Sequence, residues 1–171
     1  MGLKGFPNMM IEKINLYRIR VPLKRPYKIA TAEMKAFDMT VVVIRAGGHD
    51  GIGEAMAGVP GYFWETADEV WNFAREQSPL ILGLNEEKAK DHLLSFKKKN
   101  PCAITPFFSG IEMAAGSPIL AAPSRTQEVP LVGILQATNK DGVEKEVGEF
   151  LATGYDTIKI KVGFDPEKDL A

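Results

Sequence analysis

Two lysines, Lys159 and Lys161, stand two residues apart in the run TIKIKVG (residues 157–163), whose composition reads as a β-strand. Side chains alternate across a strand, so Ile158, Ile160 and Val162 share one face while Thr157, Lys159 and Lys161 share the other. That second face either meets water or lines a site. Alternate residues of a strand have Cα atoms roughly 6.5 Å apart. Inside a closed barrel of parallel strands, two ammonium groups so placed raise the cost of each other's charge, and desolvation acts in the same direction. One such lysine can then serve as a general base, and a charged neighbour can bind a carboxylate. An edge strand with both lysines in water is the alternative.

Other groups capable of chemistry are sparse. His49 falls on a turn and His92 within a helix, neither with a second ligand at metal spacing. GGHDGIG (residues 47–53) contains glycines in a pattern that could suggest a nucleotide loop, but it joins two strands and opens no helix that could receive a phosphate, so it reads as a hairpin turn. Glu54 at a strand end reads as structural. The one cysteine, Cys102, excludes an intrachain disulfide framework and a multi-cysteine metal site, and fits a reducing compartment. No metal ligand set is assigned.

The whole chain of 171 residues is 45% hydrophobic, enough for a sizeable core, and its net charge of -1 gives no electrostatic case for nucleic acid. The longest basic run, Lys97, Lys98 and Lys99, falls at a helix end, where cations are favoured. No window has the apolar character of a signal peptide or a membrane span. The expectation is a cytoplasmic protein with no nucleic-acid and no membrane partner.

The elements that would position the lysines fall into two regions. From Met10 to Val21 the pattern is strand-like, ending at Pro22, and residues 22–38 read as a long functional loop. MTVVVIRA (residues 39–46), the glycine turn and IGEA complete a three-stranded antiparallel meander. Thr66 with Glu69 forms a capping box opening a helix to about Gln77, with Val70, Trp71 and Ala74 at helical spacing. Asn85 opens a second helix with Ala89, Leu93 and Phe96 inward, and a third spans about residues 106–115, ended by GSP. Packed on the meander, these helices make an α+β domain.

The second region starts near Val129. VPLVGIL (residues 129–135) reads as a buried strand, Asp141 with Glu144 as the start of a helix closed by Gly154, and TIKIKVG follows at once. Strand, helix, strand at this spacing predicts a parallel βαβ unit, with the apolar face of TIKIKVG against helices. Asp165 as N-cap and Pro166 at the first helical position then open another helix, and the chain stops; the expectation is a fragment of a longer α/β protein.

Four stretches in order, IEKINLYRIRVPLKRPY, the hairpin ending in GIGEA, the helix SGIEMAA, and GYDTIKIKVGFDPEKDLA with its Lys-x-Lys, give the chain a resemblance to the N-terminal part of the enolase superfamily, in its mandelate racemase and muconate lactonizing enzyme group. The resemblance implies an α+β capping domain over residues 1–125 and the first strands of a truncated (β/α) barrel over residues 126–171. It implies a racemase, epimerase, cycloisomerase or dehydratase in which Lys161 takes the proton α to a carboxylate, Lys159 helps hold that carboxylate, and Mg²⁺ stabilises the enediolate. The substrate would be a small-molecule carboxylate and the enzyme a homo-oligomer. Two capping segments that close over the barrel mouth in the family correspond to residues 27–31 and 59–64, making Ile29, Thr31 and Tyr62 candidate substrate contacts.

Departures carry information too. Where the family has a longer helix with a Leu-Trp-Asp-like run and a Gly-Gly turn, this chain has AAGSPILAAPSRTQEVP (residues 114–130). The family's acidic metal ligands belong to later barrel strands, and Asp165 and Asp169 belong to a helix start and are not assigned as ligands. The 171 residues alone are therefore expected to be inactive. A second expectation, of a different class, is a non-catalytic capping module that binds a partner or self-associates through its uncovered apolar strands.

Overall fold

The alternation in residues 39–46 does what it predicts: Thr40, Val42, Ile44 and Ala46 are buried while Val41 and Val43 are half-exposed on the other face. The computed structural model of the chain describes residues 9–29, 32–120, 125–162 and 167. Strands β1 (Ile11–Ile29), β2 (Ala32–Ala46) and β3 (His49–Met56) form one sheet in the order β1-β2-β3. β2 and β3 pair antiparallel from Met39↔Met56 to Ala46↔His49. Their turn uses Gly47 and Gly48 at φ +56° and +79°, a left-handed pair that side-chain-bearing residues adopt only at a cost.

The expected loop at residues 22–38 is instead strand over residues 22–29 and 32–38, which corrects the sequence reading. β1 runs on through Pro22 and Pro26, and β2 starts at Ala32. β1 is an edge strand, where a missing N–H is tolerated, and in β2 Ala32, Met34 and Ala36 are half-buried while Glu33 and Lys35 are exposed, an alternation that the two prolines and the mixed polarity of the stretch conceal in the sequence.

Helices α1 (Ala67–Ile81), α2 (Glu86–Leu94) and α3 (Pro101–Ala114) cover one face of the sheet. Thr66 and Glu69 form the anticipated capping box, and the Asn85 side chain accepts from the Lys88 amide. α1 runs to Ile81, past the expected end at Gln77. α3 starts at Pro101, not near residue 106: Pro101 takes the first helical position and Pro106 lies inside. A single missing N–H does not break the helix because its whole face is pinned to β3. A Cβ on Gly51 would stand 1.9 Å from the Gly110 carbonyl oxygen, and one on Gly53 the same distance from that of Pro106. The helix thus lies on bare strand backbone. Phe107 and Ile111 of α3 meet Val42 and Ile44 of β2, Val70, Phe73 and Ala74 of α1, and Ala89 and Leu93 of α2 in one core. Burying a side chain such as Phe107 contributes about 1.5–3 kcal/mol.

An ionic clamp joins α2 to α3. The Lys90 ammonium bonds Glu86 at 2.6 Å and also Glu112 of α3. Burial pushes the Lys90 pKa down, but hydrogen bonds to Glu112 and Glu86 more than offset it and hold it above its ordinary value. The hydrogen bond from Lys90 holds the Glu112 carboxyl below its usual 4.5.

By contacts the chain falls into two units, Met1–Tyr27 with Met34–Ala122 and Lys28–Glu33 with Pro123–Ala171. In the second, β4 (Val132–Ile134) and β5 (Thr157–Lys159) flank α4 (Lys140–Ala152) and pair in parallel, Val132↔Thr157 to Ile134↔Lys159. This is the anticipated βαβ unit. Its helix is capped by Asn139, whose Oδ1 accepts from the Gly142 amide at 2.8 Å, and not by Asp141. Asp141 sits in the first turn, where its charge meets the helix dipole. Two further readings are corrected. Only residues 132–134 of VPLVGIL are strand, with Val129 72% and Leu131 65% exposed; and Ile160 and Val162 are 67% and 68% exposed, not covered by helices. α4 shields one short stretch: Phe150 fills the space a side chain on Gly133 would take. Asp165, Pro166 and Asp169 lie outside the described residues.

Gly53→Ala is expected to destabilise the first unit by roughly 2–4 kcal/mol in denaturant titration, since backbone must move. Gly148→Ala, where nothing lies within 4 Å of an added Cβ, is expected to stabilise α4 by about 0.5–1 kcal/mol. Because the Glu112 pKa is lowered on folding, its contribution is complete above the ordinary carboxylate value and is lost as pH falls through the lowered one. Glu112→Gln should accordingly flatten the acid limb of the stability-versus-pH curve, and an unchanged limb would show that the clamp contributes nothing there.

Candidate active site

Lys159 is the last residue of β5 and exposed. It registers with Ile134, while Ile158 registers with Gly133, the position over which Phe150 of α4 packs. Paired residues of a parallel ladder share a face, so Lys159 projects away from α4 and Ile158 toward it, as alternation requires. Lys161 lies two residues beyond, half-buried, and its Nζ donates to the Lys28 carbonyl oxygen at 2.8 Å. Lys28 and Ile29, at the end of β1, belong to the same unit as both lysines. Ile29 is buried at 9% exposure.

Of the other candidates, Thr31 lies outside the described residues. Tyr62 sits in the first unit on the β3–α1 loop, 67% exposed, with its backbone N–H donating to the Val59 carbonyl at 3.1 Å. Neighbouring Trp64 is 70% exposed and its indole Nε1 donates to the Lys99 carbonyl at 3.2 Å. His92 Nε2 pairs with Gln77 Oε1 at 2.8 Å and its ring meets Phe96 edge-on, a structural role. Burial and the nearby Glu65 charge push the Cys102 thiol up, which disfavours a reactive thiolate.

Two acids were invisible in the sequence. Glu65, 3% exposed, accepts from the Cys102 amide at 2.6 Å and the Ala103 amide at 3.1 Å, satisfying the start of α3. Glu146 of α4 accepts from the Gln136 and Ala137 amides at 2.7 and 3.1 Å, ordering the turn that follows β4. Their partners are backbone groups 37 and 38 residues away for Glu65 and 10 and 9 residues away for Glu146, outside the reach of a local capping motif. Among the described residues no three His, Cys, Asp or Glu side chains converge as metal ligands. The described residues do not fit a Mg²⁺ centre, and no chemistry of such an ion is assigned to them.

No family model matches the chain. It is 25% identical to the N-succinyl-L-Arg/Lys racemase of Bacillus cereus, over 95% of this chain and 47% of the relative. The solved structure of N-succinyl Arg/Lys racemase from that organism overlays with a TM-score of 0.78 at 22% identity, covering 95% of this chain and 46% of the other. The dipeptide epimerase of Enterococcus faecalis, complexed with Mg and L-Leu-L-Tyr, gives 0.78 at 23% identity with 95% and 48% covered. An enolase-superfamily member from Roseovarius nubinhibens, complexed with magnesium, gives 0.75 at 20% identity with 95% and 47% covered. The chain shares the fold of these structures over about half of their length. The resemblance read from the sequence holds in the α+β meander and in the parallel β4–β5 pair, and the chain spans about half the length of the curated relative it matches.

The hydrogen bond to Lys28 distinguishes the two lysines chemically. With a limiting amine-acylating reagent, peptide mass spectrometry should find Lys159 modified several-fold faster than Lys161 in the folded chain and equally fast in denaturant. Equal rates in the folded chain would contradict the Nζ–carbonyl bond.

Proposed function

We propose that residues 1–125 form the capping domain and residues 126–171 the first barrel strands of a Mg²⁺-dependent enzyme that removes the proton α to a carboxylate. Racemase, epimerase, cycloisomerase and dehydratase outcomes all begin with that step. The observation that carries the reading is the match of 95% of the chain to solved racemase and epimerase folds, with Lys159 the last residue of β5 and Lys161 two residues beyond it.

In this proposal the Lys161 amine accepts the α-proton and becomes an ammonium, while the electron pair left behind moves onto the carboxylate oxygens. The exposed Lys159 ammonium, at the end of β5, holds that carboxylate. Ile29, Thr31 and Tyr62 shape the space around the substrate side chain. N-succinyl amino acids and dipeptides are the first substrates to try, since the similar proteins act on or bind these. A homo-oligomer in the cytoplasm completes the proposal; no described helix is long and apolar enough to cross a membrane. The reading of the chain as a non-catalytic module gains no support from these likenesses.

The test is exchange of the substrate α-proton with deuterated solvent in the enzyme carrying the complete barrel. Lys161→Ala should slow exchange about 10²–10⁴-fold, the ordinary worth of a general base. Undiminished exchange removes Lys161 from the base role.

A further inference from the structure

We propose that Glu65 is a positioning residue whose buried carboxylate, bonded to the start of α3, fixes the β3–α1 loop that presents Tyr62. The importance of Tyr62 rests on the function proposed above; the anchoring does not. The loop is closed at its neck by the Gly58 amide donating to the Glu65 carbonyl at 2.9 Å, and within it the Tyr62 and Phe63 amides donate to the Val59 carbonyl at 3.1 and 3.2 Å. Tyr62, Phe63 and Trp64 are exposed, so beyond Val59 the loop buries little side chain of its own. Its order must come from its ends.

At that end two consecutive residues are tied to two helices. Thr66 caps α1, and the Glu65 side chain, at 3% exposure, spends both oxygens on the Cys102 and Ala103 amides. Among the described residues the other helices, α1, α2 and α4, are capped by their own N-cap side chains, Thr66, Asn85 and Asn139. α3 is not: Asn100 stands at its N-cap and makes no side-chain cap bond. Its acceptor comes instead from 37 and 38 residues earlier. A local N-cap side chain would satisfy one of those amides without reaching the loop. What the remote carboxylate adds is a charge-assisted tie between loop and helix, reinforced by the Trp64 indole on the Lys99 carbonyl. The tie holds the loop at a fixed place on α3.

Amide hydrogen exchange on the chain tests this. Glu65→Gln should speed exchange at Gly58, Tyr62 and Phe63 roughly ten- to hundredfold while the amides of Val42 and Ile44 stay protected. Unchanged loop exchange, or equal acceleration through the core, overturns the proposal. Adding Asn100→Asp to Glu65→Gln gives α3 a local cap, so the double variant decides even if the single one folds poorly. Under the proposal helix stability returns and the loop stays fast. Restored loop protection would mean Glu65 is only a helix cap. No substrate enters these measurements, so failure here leaves the proton-abstraction reading standing, and failure of that reading leaves the anchor.

Discussion

The first unit depends on how closely α3 lies on β3. Gly51 and Gly53 give the strand a face of bare backbone, and Gly110 gives the helix a matching notch against Ile44. Residues one methyl larger would force the layers apart, and Phe107 and Ile111 could no longer reach Val42 and Ile44 in the same core. Everything attached to α3 is then placed in turn. Its start holds Glu65 and the loop before α1, and its end brings Glu112 to Lys90 and so fixes α2.

Local signals in the sequence were short-range and physical, and those were read well. Thr66 with Glu69 and Asn85 mark helix starts because a cap is a bond between residues three apart. The alternation of Val42 and Ile44 marks a half-buried strand. What escaped were bonds made across the fold. Glu65 sits between Trp64 and Thr66 with nothing nearby to distinguish it from a surface acid, and the Lys161 partner is a backbone carbonyl that has no sequence identity at all. Residues 22–38 misled for a different reason: two prolines and mixed polarity read as loop, although Ala32, Met34 and Ala36 alternate in burial with Glu33 and Lys35 as a strand requires.

The second unit shows the same limit in its packing. TIKIKVG was read as a strand with a covered apolar face, and Ile158 on the α4 side agrees, yet Ile160 and Val162 are exposed. The pattern records what a strand face suits; burial also needs a surface to pack against. α4, with Phe150 set over Gly133, covers a single crossing of the two strands. The lysine face owes its direction to the same geometry, since the side that α4 takes leaves Lys159 the other.

The prolines of β1 give the long first strand a property that its length alone would deny it. An exposed strand edge is a template on which another chain can add itself, hydrogen bond by hydrogen bond. Near its start β1 is already occupied, with the Ile11 amide on the Leu84 carbonyl and the Gly83 amide on the Ile11 carbonyl. Further on, Pro22 and Pro26 carry no N–H, and Lys24 between them is charged and exposed. Prolines and lysines along an edge strand are what keep another chain from adding to it, so the composition of this arm works against the self-association that its length would otherwise invite.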